Sequence, residues 1–158
     1  MVFPRLMTSP ERRRARLLGV AAAVLLAEVV WVFAKLVLGL RLQAPAGTGY
    51  PDPVDIGPLN VALASVGFSM LGWAVLAGLE RLTAHAHRIW LVGALVGLVA
   101  SLAMPLSGRG VSPTDRALLV QMHVAVAAIL IPVLYRTSPR RLPHPSQRPA
   151  RVARGEAV

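Results

Sequence analysis

Four unbroken apolar stretches dominate the chain and leave it few folding options. They cover residues 17–40, 59–79, 89–106 and 117–135, or 24, 21, 18 and 19 residues. A helix rises about 1.5 Å per residue and the hydrocarbon core of a bilayer is about 30 Å thick, so roughly 20 residues cross it. All four stretches qualify, the third narrowly. Lipid offers no partner to an open backbone N–H or C=O, so helix is the conformation expected for each. The expected fold class is all-α: an integral membrane four-helix bundle. Hydrophobic residues make up 55% and aromatics only 5%. The apolar content is therefore mostly Ala, Leu and Val, which suits lipid-facing helices better than a water-soluble core.

The flanks carry helix-start signals. Ser9-Pro10-Glu11 places a hydroxyl before a proline, the expected N-cap and first helical residue of the first span. Ser112-Pro113-Thr114-Asp115 repeats the pattern before the fourth, with Asp115 near the positive end of the helix dipole. Gly57-Pro58 precedes the second. Pro105 and Pro132 fall near span ends, where a missing hydrogen bond costs least.

Orientation follows from the basic residues, 16 of whose 17 are Arg. Arg5, Arg12, Arg13, Arg14 and Arg16 precede span one, Arg81 and Arg88 lie between spans two and three, and six more follow span four. That puts 13 on one side against Arg41, Arg109 and Arg116 on the other. Positive residues stay in the cytoplasm, so both termini are expected inside a cell membrane. The organisation expected is a basic cytoplasmic segment 1–16, a transmembrane domain 17–136 and a disordered cytoplasmic tail 137–158 rich in Pro, Arg and Ser. These cationic ends are expected near anionic headgroups of the cytoplasmic face. Ala44-Pro45-Ala46 resembles a signal-peptidase site, but the preceding apolar run exceeds the 7–15 residues of a signal core.

The absence of Cys removes disulfides, thiolate catalysis and Cys-ligated metals. His85 and His87 are read as solvated loop residues, and Asp52 and Asp55 as solvated loop acids. The sequence contains no catalytic triad, phosphate loop or carboxylate pair, so no enzyme activity, cofactor or metal site is expected. Nothing supports nucleic-acid binding.

The polar residues within the spans carry what chemistry there is. Glu28 falls at the middle of span one. The 14 Leu, Val and Phe residues of that span favour insertion by about 4–8 kcal/mol, against about 2.5–3.5 kcal/mol for a central charge. The span inserts, and Glu28 must be neutral, paired or turned inward. Lys35 lies on the same face, about 10 Å further along; it is expected to snorkel to the outer interface rather than pair with Glu28. His123, Ser101, Ser65 and Gln121 fall in the same outer half. A cluster in which Glu28 and His123 approach, directly or through water, is expected. The alternative reading is that these groups only staple the helices together. Two stripes of small residues, Gly93, Gly97 and Ser101 on span three and Ser65, Ser69 and Gly72 on span two, predict close helix packing.

The run V-V-W-V-F-A-K of residues 29–35, G-W-A-V-L-A-G-L-E-R of 72–81, R-I-W of 88–90 and M-H-V-A-V-A-A-I-L-I-P-V-L of 122–134 resemble an uncharacterised family of four-span membrane proteins from actinobacteria, a domain-of-unknown-function family. The resemblance covers about residues 16–136. It implies a four-helix membrane fold and no established activity. Two function classes follow: a structural or accessory membrane protein, or a small oligomeric transporter or proton-linked protein using Glu28 and His123. The partners expected are the bilayer, and further copies of the chain or other membrane proteins.

Overall fold

A computed structural model describes residues 8–45, 52–107 and 110–139. Four helices make up nearly all of it: α1 (Ser9–Leu36), α2 (Pro58–Leu82), α3 (Ala86–Ser107) and α4 (Pro113–Thr137). Each is long and apolar enough to cross a membrane. The shortest has 22 residues, about 33 Å of helix.

The helices α2, α3 and α4 extend past their apolar stretches at both ends, whereas α1 does so only at its start. α1 starts one residue earlier than Ser9-Pro10 suggests, with Thr8 as N-cap. The Thr8 backbone N–H donates to Glu11 Oε2 at 2.7 Å. Glu11 lies ahead of the apolar stretch, and the bonds from Thr8, the backbone one foremost, hold its carboxyl below the ordinary carboxylate value. α4 starts as its sequence indicates: the Asp115 N–H donates to Ser112 Oγ at 3.1 Å, and the Ser112 hydroxyl donates to Asp115 Oδ2 at 2.7 Å. At its far end α1 stops at Leu36, four residues short of the apolar limit at Leu40. Gly39 adopts φ 65°, a left-handed conformation that only glycine takes freely. The Leu40 N–H then turns back to the Ala34 carbonyl at 3.0 Å.

The helices are arranged as a ring in sequence order. α1 packs on α2 and α4, α3 packs on the same two, and α2 meets α4 only slightly across the middle. The short connections from α2 to α3 and from α3 to α4 favour such antiparallel neighbours. Two apolar clusters fill the ring. One, toward the α1 C-terminus, joins Ala27, Val30 and Ala34 to Val61, Leu118, Leu119 and Met122. The other, toward the chain termini, joins Val20, Leu76, Trp90, Leu130 and Leu134.

One element has no sequence signal. Residues 43–44 (β1) and 54–55 (β2) pair antiparallel, Gln43 opposite Asp55 and Ala44 opposite Val54. Pro45 and Pro53 flank the pair and lack the N–H needed to lengthen it. The Trp31 indole N–H donates to the Ile56 carbonyl at 2.8 Å, fastening this hairpin to α1. The disordered tail was expected from residue 137, but Thr137 closes α4 and is buried, held by its bonds from Arg16, and Ser138 is buried beside it; residues 140–158 lie outside the described residues.

Candidate functional site

Among the described residues the mid-span polar side chains make no direct hydrogen bond to one another. Glu28 is half-buried on α1. Its Oε1 is enclosed and has no hydrogen-bond partner. His123 is half-buried on α4, and its Nδ1 lies 2.7 Å from the Leu119 carbonyl. A carbonyl only accepts, so Nδ1 is the donor in this bond. Among the described residues no hydrogen bond or ion pair joins Glu28 to His123, and neither contacts Lys35 in that way. Ser101 donates to the Leu98 carbonyl of its own helix at 2.7 Å, so its hydroxyl is satisfied locally. Gln121 is exposed on α4. Lys35, in the last turn of α1, is exposed at the rim. Ser65 and Ser69 are buried on α2, Ser69 fully, and Ser69 Oγ has no partner.

The small-residue stripes divide. A Cβ at Gly72 would rest 3.8 Å from Leu130 Cδ2, an ordinary contact, so the α2 stripe faces the bundle. Gly93 and Gly97 have no atom within 4 Å of a Cβ position. Both are exposed, so the close packing expected of them is not made within the described residues. The close approach occurs at Gly19, which the sequence reading passed over. A Cβ there would sit 2.7 Å from Val133 Cγ1. Gly19, Ala23, Ala27 and Ala34 form a buried strip of small residues along α1.

The most connected polar site was also passed over. Arg16, on the first third of α1, is buried. Its Nη2 lies 2.6 Å from Glu80 Oε1 on α2 and its Nη1 3.4 Å from Oε2, a two-pronged pair. Its Nε donates to Thr137 Oγ1 at 3.0 Å, and Nη2 to the Thr137 carbonyl at 3.1 Å, both at the end of α4. The Thr137 hydroxyl in turn donates to the Val133 carbonyl at 2.8 Å. One guanidinium thus fastens three helices at the end of the bundle where α1 starts and α4 ends. Its planar fork matches a carboxylate and an adjacent oxygen in a way a lysine cannot. A signal was present: Glu80 is the sole acid in the stretch between Asp55 and Asp115, and Arg16 begins the 16-19-23-27-30-34 spacing of the buried α1 face.

His87, expected as a solvated loop residue, instead lies in the first turn of α3 and is half-buried: its ring meets that of Tyr135 at a tilt, 5.7 Å between centroids, and its Nδ1 is enclosed without a partner. The Trp90 indole N–H donates to the Gly72 carbonyl at 2.9 Å, joining α3 to α2.

Four membrane-length helices in a ring, clasped by internal polar bonds, define a multi-pass membrane-type helical bundle. Residues 7–140 match the model of a family of unknown function, DUF6069, and the chain belongs to that family. No curated protein and no solved structure matches it.

Proposed function

We propose that this protein is a non-enzymatic accessory component of a cell membrane, with both termini in the cytoplasm. The supporting observation is how its polar side chains are used. Arg16, Glu80, Thr137, Trp31, Trp90 and Ser101 all bond within the chain. The bundle spends them on its own cohesion rather than presenting them to a substrate. The 13-to-3 distribution of basic residues supports the orientation, and the same charges favour anionic headgroups on the cytoplasmic side. The exposed apolar faces are suited to lipid, further copies of the chain or other membrane proteins. The Arg- and Ala-rich composition fits an actinobacterial source.

A second reading rests on one specific observation. Glu28 Oε1 is enclosed and unpartnered, and ionisable groups in spans often mark ion or proton paths. In this reading an oligomer relays protons through Glu28 and His123. Proton and small-ion flux into vesicles carrying wild type, Glu28→Gln or His123→Ala separates the two. The accessory reading expects background flux in all three. Wild-type flux that is lost in Glu28→Gln would replace it with the second.

A further inference from the structure

The opposite end of the bundle, away from the termini, holds a cavity of about 290 Å3. Its wall is built by the last turn of α1 and the segments on either side of the β1–β2 pair. Trp31, Lys35, Arg41, Asp55 and Ile56 are its informative residues. Trp31 is held in place by its bond to the Ile56 carbonyl. The Asp55 carboxylate is engaged through Oδ1, which accepts from Gln43 Nε2 at 2.9 Å. Lys35 and Arg41, by contrast, make no ion pair or side-chain hydrogen bond among the described residues, although Asp55 lines the same cavity. Two cations and one carboxylate leave one net positive charge.

We infer that this cleft binds a monoanionic phosphodiester, with Arg41 and Lys35 on its non-bridging oxygens. Four features carry the assignment. The charge balance matches one phosphodiester. The volume lies at the small end of ligand pockets, the scale of a head group and not of an extended solute. An arginine fork and a lysine point charge are the side chains that bind phosphate oxygens. Finally, the apolar side chains directly after Lys35 are exposed: Leu36 at 76% and Val37 at 66%. They form a greasy apron beside the cations, where acyl chains would lie while the head group enters the cleft. Trp31 and Lys35 are also residue types that settle at a membrane–water interface. A phospholipid is therefore the favoured source of the phosphodiester. That preference rests on the bilayer-spanning reading, whereas the cleft chemistry does not.

The test uses the full chain in a neutral detergent and native mass spectrometry. The probes are dioctanoyl phosphatidylglycerol, dioctanoyl phosphatidylcholine and the soluble diester glycerophosphoglycerol. Phosphatidylglycerol is expected to bind about tenfold more tightly than the choline lipid. Lys35→Gln/Arg41→Gln should weaken it by about tenfold or more, since both charge-assisted contacts are removed. Asp55→Asn keeps an oxygen for Gln43, removes the negative charge and should tighten binding severalfold, a gain that misfolding cannot imitate. Equal binding of glycerophosphoglycerol would support the phosphodiester site and assign it a soluble ligand. Equal phosphatidylglycerol affinity in wild type and the double variant, or no tightening in Asp55→Asn, would overturn the proposal. Neither result would alter flux or topology, so the accessory reading stands or falls separately.

Discussion

Arg16 and Glu80 meet at 2.6 Å across 64 residues of sequence, at the point where α1, α2 and α4 converge. Both side chains are shielded, with 7% and 17% exposure. Removing one partner strands the other charge, which for a buried pair costs about 3–5 kcal/mol. Glu80 retains some solvent, so Glu80→Ala should cost near the lower limit, about 3 kcal/mol. Replacing both, Arg16→Met with Glu80→Leu, should recover most of this loss, because no charge remains unpaired. Thermal unfolding in detergent reads both. Additive losses in the double variant would mean that the two residues do not act as a pair.

Helix packing gives a contrast between glycines. Gly19→Ala places a methyl 2.7 Å from Val133 Cγ1, and overpacking of this kind costs about 1–3 kcal/mol. Val133→Ala should relieve much of it. Gly93→Ala and Gly97→Ala meet nothing within 4 Å, so they should be neutral, or stabilise by up to about 1 kcal/mol through helix propensity. Comparing unfolding midpoints of the four variants checks the assignment. A loss at Gly93 or Gly97 matching that at Gly19 would show that α3 also packs through its glycine face.

Glu28 should be a stability defect. Its enclosed Oε1 lacks a partner, and an unsatisfied buried polar atom costs about 1–3 kcal/mol. Glu28→Leu should therefore unfold at a higher temperature than wild type in the same detergent. A lower midpoint would mean that the carboxyl makes stabilising contacts.

The start of α1 should respond to acid. The Glu11 carboxyl is depressed by its bonds from Thr8, so it favours the capped helix. The contribution is fully present above the unfolded-state value and disappears as pH falls through the folded value. Side-chain NMR should show Glu11 titrating below a free glutamate, with the amides of residues 8–12 shifting in the same step. Titration at or above the ordinary value would remove the capping role.

The four spans were legible because bilayer length is a property of composition, visible without knowing any contact. Their ends were less so. Residues 37–40 are as apolar as what precedes them, yet Gly39 turns the chain and ends α1 at Leu36. The β1–β2 pair was invisible, since two-residue strands show no alternation. Arg16 was hidden among the neighbouring arginines Arg12, Arg13 and Arg14. Only the convergence of Glu80 and Thr137 distinguishes it, and that convergence is long-range. The small residues show the same limit. Spacing reveals that Gly93 and Gly97 share a face, but not which face meets a neighbour. In an Ala-rich chain, the strip that does pack closely, from Gly19 to Ala34, does not stand out.

Cysteine accessibility tests the central claim, that successive helices cross the bilayer with alternating ends, most directly. The chain has no Cys, so a single introduced thiol is unambiguous. Thr8, Asp52 and Ala84 are exposed positions at the α1 start, the first connection and the second connection. In intact cells, a membrane-impermeant maleimide should label Asp52→Cys at once, and Thr8→Cys and Ala84→Cys only after permeabilisation. Labelling of Asp52→Cys and Ala84→Cys from the same side would contradict the account, because α2 would then not cross the bilayer.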